Sequence, residues 1–93
     1  MTQNEFNKIP ENEKNAIAMI YLEYLSAKKR YPKPFNNPHE AYAVILEELD
    51  ETWGFIKNHS KPGGDKRPCS SIEQMKTEIQ AVGAMVLRFI IEL

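Results

Sequence analysis

Four glutamates stand out for where they fall in the chain. Glu47, Glu48 and Glu51 belong to the run Asn37 to His59, which has the periodicity of a helix, and Glu78 belongs to the helix predicted after it. At ~100° per residue, Ala41, Tyr42, Val44, Ile45, Leu46, Leu49, Trp53, Phe55 and Ile56 fill one broad apolar arc of the first of these helices. Glu48 falls inside that arc, beside Ala41, Phe55 and Val44 in projection. Glu51 stands on the arc's edge, and Glu47 points away from it. Glu78 repeats the arrangement, lying between Met85 and Phe89 in an arc made of Ile72, Met75, Ile79, Val82, Met85, Val86, Phe89, Ile90 and Leu93. An unpaired ionised carboxylate on a face that packs costs several kcal/mol after relaxation. Acids so placed imply a cation, a strong donor or water held in a cleft.

The elements that must position these acids are bounded by local signals. Thr2 and Glu5 have capping-box spacing for a short turn, with Phe6 and Ile9 free to dock on the body. From about Pro10 a first long helix carries Ile17, Ile20, Tyr21, Tyr24 and Ala27 at helical spacing and ends on Lys28, Lys29 and Arg30, favourable charges for that end. The prolines of Tyr31 to Asn37 make an extended connector. Asn37, Pro38 and Glu40 supply an N-cap, a first-turn proline and a capping-box acid for the central helix. The segment after His59, SKPGGDKRPC, reads as a basic loop holding Lys61, Lys66 and Arg67. Ser70 with Glu73, or Ser71 with Gln74, opens the last helix. No alternating strand pattern or internal repeat is present, so the fold class is all-α: one domain, residues 1–93, of three long helices in a bundle. Ala81, Gly83 and Ala84 permit close helix approach, and Leu87 and Ile91 are expected on the outer side of the last helix. A homodimer, or a higher even oligomer, would complete the core.

Composition narrows the function classes. With 93 residues a lone core is marginal, and a net charge of -1 gives no general pull towards nucleic acid or an anionic membrane. The single Cys69 forms no internal disulfide and no cysteine-based zinc site. The polar start, MTQNEFNKIPENEK, does not read as a signal peptide, and the run Ala81 to Leu93, broken by Arg88 and Glu92, is too short for a bilayer span. The expectation is a soluble, cytoplasmic protein with no nucleic-acid or membrane partner.

The run Glu47-Glu48-Leu49-Asp50-Glu51 (EELDE) on one helix, followed after a loop by a helix bearing Glu78, resembles the MazG-like all-α nucleoside triphosphate pyrophosphohydrolases. Their signature is ExxE on one helix and ExxD on the next. The resemblance covers roughly His39 to Leu93, through HEAYAVILEELDETW and TEIQAVGAMVLRFI. It implies that Glu48 and Glu51 are the first pair of metal-binding acids, that Glu47 is the acid often preceding them, and that Glu78 opens the second pair; Ala81 stands where the family has Asp. Acids three apart lie side by side on a helix, so two facing helices can offer hard oxygen ligands to Mg²⁺, or Mn²⁺, alongside water and substrate phosphates. The implied reaction is metal-assisted hydrolysis of a nucleoside triphosphate to the monophosphate and pyrophosphate. Glu48, Glu51 and Glu78 would be the catalytic acids, with Lys57, Lys61, Lys66 and Arg67 as phosphate contacts.

Two function classes follow. One is a Mg²⁺-dependent nucleotide pyrophosphohydrolase. The other is a non-catalytic dimeric helical module that binds nucleotide or protein and keeps Glu48 and Glu78 for structure. Position 81 separates them, because Ala81 cannot bind metal. A DNA-binding helical protein is disfavoured by the charge balance and by the lack of a basic recognition helix.

Overall fold

The structure, a computed structural model, describes residues 1–60 and 71–93, with backbone alone at 59 and 60. Four helices appear in it: α1 (Gln3–Asn7), α2 (Glu11–Arg30), α3 (Pro38–Ser60) and α4 (Ile72–Glu92). The starts of α1, α3 and α4 are made by the residues expected to make them, whereas Pro10 stands at the N-cap of α2, outside its first turn, and gives it no side-chain cap. The Glu5 amide donates to Thr2 Oγ1 at 3.1 Å while Thr2 N–H donates to the Glu5 carboxylate at 3.2 Å, a reciprocal box that stabilises a helix of only five residues. The Glu40 amide donates to Asn37 Oδ1 at 2.8 Å, and the Glu40 carboxylate reaches back to the backbone and side chain of Asn36. Of the two candidates for α4, Ser71 with Gln74 forms the box. The α2 helix stops at Tyr31, whose ψ of 78° lies outside the helical region because Pro32 follows it.

Helix α4 is the element on which α2 and α3 pack. Both α2 and α3 lie against it, and α2 and α3 share no backbone-level packing of their own. The core is correspondingly small: Tyr24 and Ala27 of α2, Phe35 of the connector, Ala41 of α3, and Ala84 and Met85 of α4, with Val44, Ile45 and Leu87 around them. Three of those six residues are alanines, so the helices come close but bury little apolar area per contact. Gly83 shows the same economy. A Cβ built there would stand 3.1 Å from the Ile20 side chain, so α2 approaches α4 where a side chain is absent.

Two expectations about α4 and α3 are corrected. Leu87 is not on the outer side of α4; it packs on the core, and the face turned inward is the small-residue face of Ala81, Gly83 and Ala84. The broad apolar arc of α4 is largely open instead, with Ile72, Ile79, Val86, Phe89, Ile90 and Leu93 all exposed. On α3, Tyr42, Leu46, Leu49 and Trp53 are likewise exposed, and the residues packed completely are Ala41, at 0%, and Thr52, at 1%. Thr52 satisfies its hydroxyl by donating to the Glu48 carbonyl at 3.0 Å, which lets a polar side chain occupy a dry helix–helix contact.

A buried ion pair fastens the connector. Arg88 Nε donates to Glu92 Oε1 at 3.0 Å with side chains only 4% and 8% exposed. Arg88 Nη2 also donates to the Lys33 carbonyl at 2.8 Å, and Glu92 Oε2 accepts the Phe35 amide at 3.3 Å. The guanidinium lies 5.0 Å from the centroid of the Phe35 ring. The prolines make the connector extended, and this pair holds it across the end of α4.

Candidate metal and phosphate site

Thr52 marks the line along which α3 faces α4, and helical periodicity then assigns its neighbours to two sides. Glu48 lies ~40° to one side of that line, with Glu51 and Glu47 further round the same way; Leu49 and Trp53 lie on the other side. Glu48 is half-buried, Glu51 and Glu47 are exposed, and Glu78 of α4 is half-buried. The Glu48 carboxyl is pushed above the ordinary carboxylate range, first by burial and then by the negative charges of Glu51, Glu78 and Glu47, against a smaller opposing pull from Arg30. The charges of acids on both α3 and α4 therefore act on Glu48. Among the described residues none donates a hydrogen bond or forms an ion pair with the Glu48 carboxyl.

Carboxylate oxygens are the donor type that a hard divalent cation takes, and Mg²⁺ is ordinarily held by one or two carboxylates plus water and phosphate oxygens, without a cage made wholly of protein. Among the described residues no group of three or more acidic, histidine or cysteine side chains is placed to hold a metal ion. What the protein supplies is an open set of oxygens on two helices. Comparison with family models, with curated proteins and with solved structures yields no match to this chain.

The other expected site residues are distributed unevenly. Ala81 is half-buried one turn along α4 from Glu78, deeper than the exposed Glu51 one turn along α3 from Glu48. Lys57 is nine residues on from Glu48, half a revolution round α3, and its ammonium stands 5.9 Å from the Trp53 ring. It is not brought to the acids. Lys61, Lys66, Arg67 and Cys69 lie outside the described residues.

The cation whose field does reach Glu48 is Arg30, at the end of α2, where its guanidinium also pairs with Glu23 at 3.0 Å. Sequence reasoning assigns Arg30 to the helix terminus alone. The basic run Lys28-Lys29-Arg30 is a visible signal, but only the packing of α2 on α4 brings it towards the acids.

Proposed function

We propose that the acids of α3 and α4 bind Mg²⁺ or Mn²⁺ and that the protein hydrolyses a nucleoside triphosphate to the monophosphate and pyrophosphate, in the manner of the MazG-like enzymes it resembles. The observation that carries this reading is the raised Glu48 carboxyl, surrounded by like charges from two helices and given no hydrogen-bond donor among the described residues. A bound divalent ion supplies charge neutralisation at the phosphates and a more acidic water. Glu48 and Glu78 supply half-buried oxygens, Glu51 and Glu47 supply exposed ones at the rim, and Arg30 supplies a positive charge for phosphate. In the balanced step, one water adds across the phosphoanhydride bridge between the α- and β-phosphates: its oxygen bonds to phosphorus as the bond to the bridging oxygen breaks, its proton is released to solvent, and the monophosphate and pyrophosphate leave.

Ala81 favours a second reading, a non-catalytic helical module that keeps the acids for nucleotide or protein binding. A scan of nucleoside triphosphates with Mg²⁺, following pyrophosphate release, separates the two. Turnover that Glu48→Gln abolishes is the expected result. No turnover of any triphosphate, with Mg²⁺ still bound, assigns the protein to the second reading.

A further inference from the structure

Arg30 is the last residue of α2, yet its side chain does not run on past the helix end. It turns back and donates from Nη2 to Glu23 Oε1 at 3.0 Å, a partner seven residues, or ~10 Å of helix, earlier. Helix stability does not ask for that partner: Arg30 already stands with Lys28 and Lys29 in the turn that favours a cation, and a pair whose side chains are 57% and 32% exposed contributes little. Its place in the fold is more telling. Ile20 packs against Gly83 and the Gln80 amide donates to Met19 Sδ at 3.9 Å, while the connector beyond Arg30 meets Arg88 through the Lys33 carbonyl. Helices α2 and α4 therefore run in the same direction, and folding back by seven residues carries the Arg30 charge from the Arg88 end of α4 towards the end that bears Glu78. On the other side of α4, Ala41 shares the core with Ala84 and Met85, and Leu49 and Thr52 line a groove with Ile79, so Glu48 stands level with the turn from Glu78 to Ala81. Since α2 and α3 pack on α4 and not on each other, they form two walls over it. The guanidinium lies on one wall and Glu48 on the other, and its field is felt there.

We propose that Glu23 is a positioning residue, holding Arg30 on the α2 wall so that the acids of α3 and α4 stay free for a divalent cation and Arg30 stays free for the phosphates that arrive with it. The proposal rests on the cation and triphosphate reading above and adds to it a role for a carboxylate outside the acidic motif. A half-buried carboxylate gains more from a cation than an exposed one does, but the guanidinium is given to Glu23, on its own helix. Without Glu23, Arg30 turns across the cleft to Glu48 and competes with the metal. A bound polyphosphate offers the guanidinium a bidentate acceptor stronger than a single carboxylate oxygen and draws it away from Glu23.

Calorimetric titration of the full chain with Mg²⁺ tests this on wild type, Glu23→Gln, Arg30→Gln and the double variant, at physiological ionic strength so that longer-range fields are screened. Neither side chain is buried, so all four proteins should keep their helix content by circular dichroism. Glu23→Gln should weaken Mg²⁺ binding by about fivefold, the scale of a partly exposed ion pair, without lowering the metal-free Tm. Arg30→Gln should tighten Mg²⁺ binding by about threefold and weaken the binding of inorganic tripolyphosphate to the Mg²⁺-loaded protein by about tenfold. Once Arg30 is replaced, adding Glu23→Gln should change Mg²⁺ affinity by less than about twofold, because no guanidinium is left to release. A loss of Mg²⁺ affinity that is the same with and without Arg30 makes Glu23 act on the metal directly and overturns the proposal. Mg²⁺ binding indifferent to Glu23→Gln, or tripolyphosphate binding indifferent to Arg30→Gln, overturns it as well. Wild type that binds no Mg²⁺ removes the cation reading and the proposal with it, a failure told apart from the others because it precedes any substitution. None of these outcomes depends on triphosphate hydrolysis.

Discussion

Two groups of charged side chains lie on the packed faces of this small helical protein, and they are treated in opposite ways. At the end of α4, Arg88 and Glu92 are nearly inaccessible, and the hydrogen bonds to each other, to the Lys33 carbonyl and from the Phe35 amide offset their burial. Midway along α3, Glu48 is half-buried among other acids and, among the described residues, receives only the smaller pull of Arg30. The first arrangement is complete and fastens a connector. The second leaves a deficit that a cation would fill. Charge on a packed face is therefore not in itself a sign of function; an unmet electrostatic requirement is the more informative feature.

The sharpest way to break this comparison is to remove one partner of the satisfied pair. Arg88→Ala leaves Glu92 buried and unpaired and releases the connector, which should cost about 3–5 kcal/mol. In a chain of this size that removes most of the stability and lowers Tm by tens of degrees or abolishes the transition, as circular dichroism would show. The double change Arg88→Met with Glu92→Leu should recover most of the loss, because it removes the buried charges together. Recovery failing in a still-helical double variant would assign the connector's hold to the specific hydrogen bonds.

These two regions also differ in how far they can be read from sequence. Helix starts are legible because a cap is made within four residues: Thr2 with Glu5, Asn37 with Glu40 and Ser71 with Gln74 all form as spacing predicts. The approach of Glu78 to Glu48 is legible too, since each falls on an inward part of its helix. The orientation of α4 is not. Hydrophobic periodicity points to an arc that runs from Ile72 to Leu93, of which the protomer buries Met85, beside Ala84 and Arg88, and leaves Ile72, Ile79, Val86 and Leu93 open. Periodicity reports that a face avoids water and does not say whether its own chain or another covers it. Arg88 and Glu92, read as interruptions of an apolar run, are an (i, i+4) pair whose partner, Phe35, sits in a segment with no pattern of its own.

A smaller effect sharpens the comparison from the unsatisfied side. Ala81→Asp adds an acid to the half-buried position one turn from Glu78. It should destabilise the metal-free protein through like-charge repulsion and tighten Mg²⁺ binding by about tenfold, the scale on which changes around a metal site act. Thermal shifts with and without Mg²⁺ would read both signs. Destabilisation that Mg²⁺ does not relieve would mean that position 81 is turned away from the cation.

Protonation gives a further test. Because the Glu48 carboxyl is raised in the folded chain, folding takes up protons in the pH range between its ordinary and its raised pKa. Metal-free stability should therefore fall as pH rises from the ordinary carboxylate range through the raised pKa of Glu48, and flatten above it. Glu48→Gln should remove that fall and raise Tm at neutral pH, by much less than Arg88→Ala lowers it, because solvent screens a half-buried group. A Tm that drops in Glu48→Gln at neutral pH would make Glu48 a satisfied structural acid. The smallest change calibrates the others: Gly54→Ala meets nothing within 4 Å in the middle of α3 and should add about 0.5–1 kcal/mol without altering Mg²⁺ response or pH dependence.

The most direct test of the cation site is a calorimetric titration of the full chain with Mg²⁺, repeated with Mn²⁺, on wild type and Glu48→Gln side by side. Saturable binding to wild type, accompanied by a rise in Tm and absent from Glu48→Gln, is the result expected if the acids of α3 and α4 form one cation site. Affinity that is unchanged in Glu48→Gln, or no binding of either ion to folded wild type, would contradict it.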